Sequence, residues 1–183
     1  MKKIFLSFIF FLIAFSTPVY AQTEIPIPTV STSPTPTQQL IDYQLPYPGI
    51  LPGSPLYSIK MIRDRIIEFL ISDPLKKADF YILQADKRVA AAILLFEKGN
   101  NSLGQTTISK GQNYLEKSLE KAMAAKNSGK DAKDVLARVK NSATKQRQEI
   151  ENLSKKSNEI KRILSGDLGR VQRFEKSVEE IKP

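Results

Sequence analysis

The sequence predicts an all-α fold: an antiparallel helical bundle of four or five helices with coiled-coil-like seams, preceded by a signal peptide and a Pro/Thr/Ser-rich spacer. Three observations carry this. Leu75, Ala78, Ile82, Ala85, Val89, Ala92 and Phe96 alternate in steps of three and four, which is a heptad seam. Cap and breaker residues, Ser54-Pro55, Ser72-Asp73-Pro74, Gly99 and Gly129, punctuate the chain at helix-length intervals. No alternating strand pattern occurs outside the Pro-rich stretch that leads into the first helix.

Lys2 and Lys3 precede the apolar run Ile4 to Phe15, and Val19-Tyr20-Ala21 follows as a small-residue cleavage site, so residues 1–21 are expected to be removed before Gln22. The apolar run is shorter than the roughly 20 residues that span a bilayer, and Pro18 interrupts its extension. The expected location is extracytoplasmic, whether secreted, periplasmic or at the cell surface, with membrane anchorage if the signal stays uncleaved. Residues 22–45 are a spacer too poor in apolar surface to fold, and the helical domain is expected over 46–183. Tyr43, Tyr47, Ile50 and Leu51, among Pro46, Pro48 and Pro52, suggest an ordered lead-in that lays apolar side chains over the first helix.

That helix begins where Ser54 can cap and Pro55 can occupy the first turn. Its apolar face is Leu56, Ile59, Ile62, Ile66 and Phe69 or Leu70. After a tight corner at Asp73-Pro74 the heptad helix runs to Gly99, and its many alanines imply close helix approach. A loop over 99–105 leads to a third helix with Ile108, Gly111, Leu115, Leu119, Ala122 and Ala125 on one side, closed by Gly129. A fourth helix is expected from Asp131 to about Ser165, carrying Val135, Val139, Ala143, Gln146, Ile150, Leu153, Ser157, Ile160 and Leu164; at 1.5 Å per residue it would be on the order of 50 Å long. Its polar members suggest self-association, with Gln146 and Ser157 setting register. Asp167 would cap a short last helix over 167–182 bearing Leu168, Val171, Phe174, Val178 and Ile181.

Composition narrows the chemistry. The chain has 28 basic and 19 acidic residues, and losing Lys2 and Lys3 would leave 26 against 19, so the export signal does not explain the positive charge. Such an excess favours polyanions or acidic partners without specifying either. With no Cys, no disulfide can staple an exported fold, which must rest on core packing. With no His, the commonest general base and metal ligand near neutral pH is missing. Asp79 and Asp86, one heptad apart, would sit about 10 Å apart along a helix, beyond the usual spacing of a glycosidase pair and readable as solvated neighbours of the seam. Glu116 and Glu120 alternate with Lys117 and Lys121 as an exposed surface does. No nucleophile elbow, phosphate loop or calcium loop occurs, so no catalytic, cofactor or metal residue is expected.

Two candidate binding surfaces remain. Lys155, Lys156, Lys161 and Arg162, with Arg170 and Arg173 beyond, could place several cations along one helical flank as a polyanion patch, although Glu149, Glu151, Glu159 and Glu175 are interspersed. Tyr43, Tyr47, Leu56 and Tyr57 could line a groove for a partner peptide.

The run Leu51-Pro52-Gly53-Ser54-Pro55-Leu56-Tyr57 with Lys60, then Asp73-Pro74, Ala78, Ala85, Arg88, Ala90 and Ala92, resembles a bacterial family called domain of unknown function 5667. The pattern covers residues 51–99 directly, and the long helices that follow look like those of that family. It departs from the family at Ala91, where an acidic residue is usual, and at Asp64 and Asp86, where Glu is expected. The resemblance implies an exported or membrane-linked all-helical domain, and carries over no activity and no functional residue. The expectation is an exported, non-enzymatic helical interaction or structural module at the bacterial cell envelope, taking a protein or an anionic polymer as partner and no small-molecule cofactor. The alternative is a basic helical binder of anionic polymers such as wall polysaccharide or nucleic acid.

Overall fold

A computed structural model describes residues 42–181, so the expected cleavage site at Val19, Ala21 and Gln22 and most of the spacer lie outside the described residues. The helices belong to one compact unit, residues 39–183. It is all-helical: α1 (Tyr57–Leu70), α2 (Pro74–Glu97), α3 (Asn101–Asn127), α4 (Lys133–Ser154) and α5 (Asn158–Glu179).

Local chemistry accounts for most of the boundaries. Asp73 caps α2, its carboxylate accepting from the backbone N–H groups of Leu75 and Lys76, and Pro74 takes the first turn. At the other end Gly99 stands at φ +73°, and Asn100 N–H bonds the carbonyl of Leu95 while Gly99 N–H bonds that of Phe96, a Schellman closure. Gly129 closes α3 in the same way, with Lys130 N–H on the carbonyl of Ala125. These two glycines make α2, α3 and α4 run up, down and up.

The core falls into two apolar clusters. One joins Ala78, Ile82 and Ala85 of α2 to Leu115 and Ala122 of α3, Val135, Leu136, Val139 and Ala143 of α4, and Val178 of α5. The other joins Ala92 and Phe96 to Ile108, Ile150, Leu153, Ile160, Leu164 and Val171. The first therefore gathers the start of α2 and α4 with the end of α3 and α5, and the second gathers the opposite ends, which is up-down-up-down order over α2 to α5. Between them lies a buried polar layer containing Asp86, Gln112, Ser142 and Gln146, while Asp167 is buried beside the second cluster, between Leu164 and Val171 along α5. Small residues bring α2 and α3 close: a Cβ at Gly111 would stand 3.2 Å from the carbonyl oxygen of Ala85.

Three expectations need correction. The helix expected over 131–165 ends at Ser154, and Lys155 to Ser157 turn the chain back, Ser157 capping α5 by accepting from Ile160 N–H. Its apolar repeat runs across the turn because both arms face the same core. The short helix expected over 167–182 is the second half of α5, and Asp167 is a buried interior residue of it. Gln146 lies within the bundle, donating to Ser142 Oγ, and Ser157 is a cap, so the residues expected to set register between copies have roles inside one chain. At α1 the boundary shifts slightly: Ser54 belongs to the preceding turn, where its backbone carbonyl accepts from Tyr57 N–H, and Leu56 holds the cap position without a side-chain bond.

Candidate interaction surface on the first helix

Helix α1 is amphipathic as its sequence requires, but it sits with the polar face inward. Tyr57, Met61, Asp64 and Glu68 recur at steps of three and four and face the bundle; Asp64 is the only buried residue of α1. The opposite side carries Ile59, Ile62, Ile66, Phe69 and Leu70, between 55% and 84% exposed, with Leu56 and Ile67 at its edges. This corrects the expectation that the lead-in covers that apolar face.

The surface under α1 explains its orientation. Tyr81 of α2 donates from its hydroxyl to Glu68 Oε1 at 2.7 Å. Arg88, also on α2 and buried, lies 4.1 Å from the ring centre of Tyr114 on α3, donates to the Gln84 side chain, and reaches Met61 Sδ at 3.6 Å. Arg63 holds Asp64 Oδ1 at 2.7 Å. Lys60 Nζ donates to the backbone carbonyl of Pro48 at 2.9 Å, which ties the lead-in to α1 by a polar contact. A face made of Tyr81, Arg88 and Tyr114 offers donors and π surface, so it satisfies the Tyr57–Glu68 side better than the isoleucines.

Electrostatics follow the burial. Desolvation, then the bond to Glu68, pushes the Tyr81 hydroxyl well above its ordinary value. Desolvation also raises Tyr57, against the nearby Arg88. Desolvation lowers Lys60, with Asp64 opposing. Asp64 Oδ2 and Arg88 Nε are buried without a hydrogen bond among the described residues. Two adjoining open clefts, about 530 and 570 Å³, share Met61, Tyr114 and Lys117 and undercut α1. The four other helices interlock through helix seams, whereas α1 rests on the bundle through side-chain ends.

The other expected surfaces divide. Lys155, Lys156, Lys161 and Arg162 are exposed around the α4–α5 turn and form no ion pair among the described residues. Arg170 is drawn to α3, pairing with Glu116 at 2.7 Å and donating to Asn113 at 2.6 Å, and Arg173 lies beside Gly169 further along α5. The expected groove residues do not converge either. Tyr43 donates its hydroxyl to Asp86, Tyr47 and Leu56 point to solvent, and Tyr57 lines the cleft beside Arg88.

Sequence reasoning read Asp86 as solvated and missed its role. It is 2% exposed and accepts from Tyr43 at 2.5 Å and Ser142 at 2.6 Å, joining the lead-in and α4 to α2. Burial raises its pKa, while the hydrogen bonds from Ser142, Tyr43 and Gln146 pull it down. Asp167 accepts from Gln105 and Ser109 of α3 at 2.9 and 2.6 Å. Asp79 is bound to Arg138 at 2.7 Å. Each of these three carboxylates is bonded by side chains of its own chain, and Asp79 and Asp86 line one open cleft of about 400 Å³ with Tyr43 and Arg138. The one signal that separates Asp86 from its neighbours is its place next to the seam alanine Ala85 and three residues before Val89, along the heptad stripe.

A family model described as a domain of unknown function, DUF5667, matches residues 49–160. That span begins in the lead-in, takes in α1 to α4 and ends at the start of α5. Of the motif residues, Tyr57 and Arg88 line the cleft beneath α1, and Lys60 ties the lead-in to it. No curated protein and no solved structure matches the chain.

Proposed function

This chain belongs to the DUF5667 family, and we propose that it acts as an exported, non-enzymatic helical interaction module at the bacterial cell envelope, with the outer face of α1 as its contact surface. The observation that carries the reading is the row Ile59, Ile62, Ile66, Phe69 and Leu70 held toward solvent by a polar contact beneath it. Together with Leu56 and Ile67, they put seven large apolar side chains, 39% to 84% exposed, on one helix and its cap, and clustered exposed apolar side chains mark interaction sites. Such a face is costly to leave in water, and an occupant would remove that cost. The charged leader and apolar run of residues 1–21 support export.

A second reading has its own observation. Lys155, Lys156, Lys161 and Arg162, exposed around one turn and without an ion pair among the described residues, support contact with an anionic polymer such as wall polysaccharide or nucleic acid. Binding of residues 22–183 to isolated envelope material across a salt series separates the two. Saturable binding that falls with Ile62→Ser and is retained when the four cations become Gln supports the α1 surface. Binding that collapses between low and moderate salt, and falls when the four cations become Gln, supports the polymer reading and sinks the first.

A further inference from the structure

The geometry points to an anionic lipid surface as the occupant of the α1 face, so that α1 lies in the membrane plane as an interfacial helix. The inference rests on reading α1 as the interaction surface and names its partner. No described helix is long and apolar enough to cross a membrane, so the contact argued here lies on the bilayer and does not span it.

Charge decides between occupants. The acids of α1, Asp64 and Glu68, are turned inward and engaged by Arg63 and Tyr81. The outward half therefore carries seven apolar side chains and only two charges, Arg63 and Arg65, both cationic. Arg63 is 62% exposed even while it contacts Asp64. The two arginines stand on opposite flanks of the apolar stripe, and Lys76 adds an exposed cation just past the corner after α1. Apolar side chains flanked by cations, whose stems lie along the apolar boundary while their heads reach phosphates, is the composition of a helix lying in a headgroup layer. A second copy of the chain would bring four arginines together without an acid between them, which opposes pairing of this face with itself. Shape agrees: α1 is a rod of about 21 Å whose clefts run beneath it, with Ile62 and Phe69 at the rim of one of them and Ile59, Ile66 and Leu70 clear of both, so a deformable plane can meet the row from outside.

The test is co-sedimentation of residues 22–183 with phosphatidylcholine vesicles, plain or containing about a third phosphatidylglycerol. The wild-type chain is compared with Ile62→Ser/Phe69→Ser, with Arg63→Gln/Arg65→Gln, and with the Gln variant of Lys155, Lys156, Lys161 and Arg162. Circular dichroism and melting confirm that each remains folded, as substitutions at exposed positions should. The expected result is binding to the anionic vesicles, weakened about tenfold or more by Ile62→Ser/Phe69→Ser, weakened and made less salt-sensitive by the arginine pair, and retained by the α4–α5 variant. A chain that stays in solution with every vesicle overturns the lipid occupant. So does vesicle binding lost only in the α4–α5 variant, or a concentration-dependent dimer that Ile62→Ser/Phe69→Ser dissolves. If vesicles fail while envelope material is still bound through Ile62 and Phe69, the interaction reading survives without the lipid; if both fail, both readings fall.

Discussion

The hydroxyl of Tyr43 donates to the buried carboxylate of Asp86 across 43 positions of sequence, and this bond fastens the lead-in to α2. Asp86 keeps Ser142 and Gln146 as its other donors, so Tyr43→Phe removes one of three. The expected cost is about 1.5 kcal/mol, the low end for a bond to a charged acceptor, because half-buried Tyr43 leaves water a route to the carboxylate. Denaturant unfolding measures it. Protease cleavage between residues 42 and 53 should quicken in the same variant, and an unchanged cleavage rate would show that the bond does not hold the lead-in.

The same carboxylate makes stability depend on pH in an unusual direction. Burial raises Asp86 above its ordinary 3.8, so the folded chain keeps that proton to higher pH than the unfolded one. Its contribution is complete below 3.8 and is lost as pH rises through the folded value. Asp73 runs the other way: the bond from Lys130, then that from Lys76 N–H, holds it below 3.8, so its contribution is present above 3.8 and lost as pH falls through the folded value. Melting temperature followed from about pH 2 to 7 should lose its decline above 3.8 in Asp86→Asn and its rise below 3.8 in Asp73→Asn. Identical profiles for both variants would refute the assignment.

Two glycines should respond with opposite signs to the same change. In Gly111→Ala the new methyl meets the Ala85 carbonyl oxygen at 3.2 Å and Arg88 Cβ at 3.3 Å, so α2 and α3 must part, at about 1–3 kcal/mol. Gly166, interior to α5, has nothing within 4 Å of a built Cβ, and Gly166→Ala should stabilise by about 0.5–1 kcal/mol. Thermal melting of the pair checks this.

Two isoleucines make the equivalent test of α1. Ile108, fully buried, should cost about 2–5 kcal/mol on change to Ala. Ile66, 55% exposed, should change stability by no more than about 0.5 kcal/mol. Comparable losses at both positions would mean that the apolar side of α1 is covered.

Ser157→Ala should destabilise by about 1 kcal/mol, or roughly 2–4 °C in melting temperature, through the lost bond to Ile160 N–H. The helix content should stay the same, because the turn between α4 and α5 is held by the core on both sides of it.

Whatever had a short-range cause could be read in advance. The Asp73-Pro74 start, the seam from Leu75 to Phe96 and the stops at Gly99 and Gly129 depend on residues within a turn of one another. The reversal at Lys155–Ser157 has neither Gly nor Pro, and an apolar repeat that continues through it looks the same whether the chain proceeds or folds back. The orientation of α1 was hidden for a different reason. Periodicity identifies two faces, but which one is inward depends on Tyr81, Arg88 and Tyr114, which lie elsewhere in sequence. The partners of Asp86 and Asp167 are 43 to 62 positions away, too distant for any spacing rule.

The polar layer between the two apolar clusters also acts as a vernier between helices. Alanines repeat along α2 at Ala78, Ala85 and Ala92, so sliding α4 by one heptad would bring similar small residues into contact and lose little apolar burial. Asp86, however, would then face the position of Val135 or Glu149 in place of Ser142, leaving a buried carboxylate with no donor or against a second acid. One carboxylate thus distinguishes the native alignment from neighbours that the apolar pattern alone would tolerate.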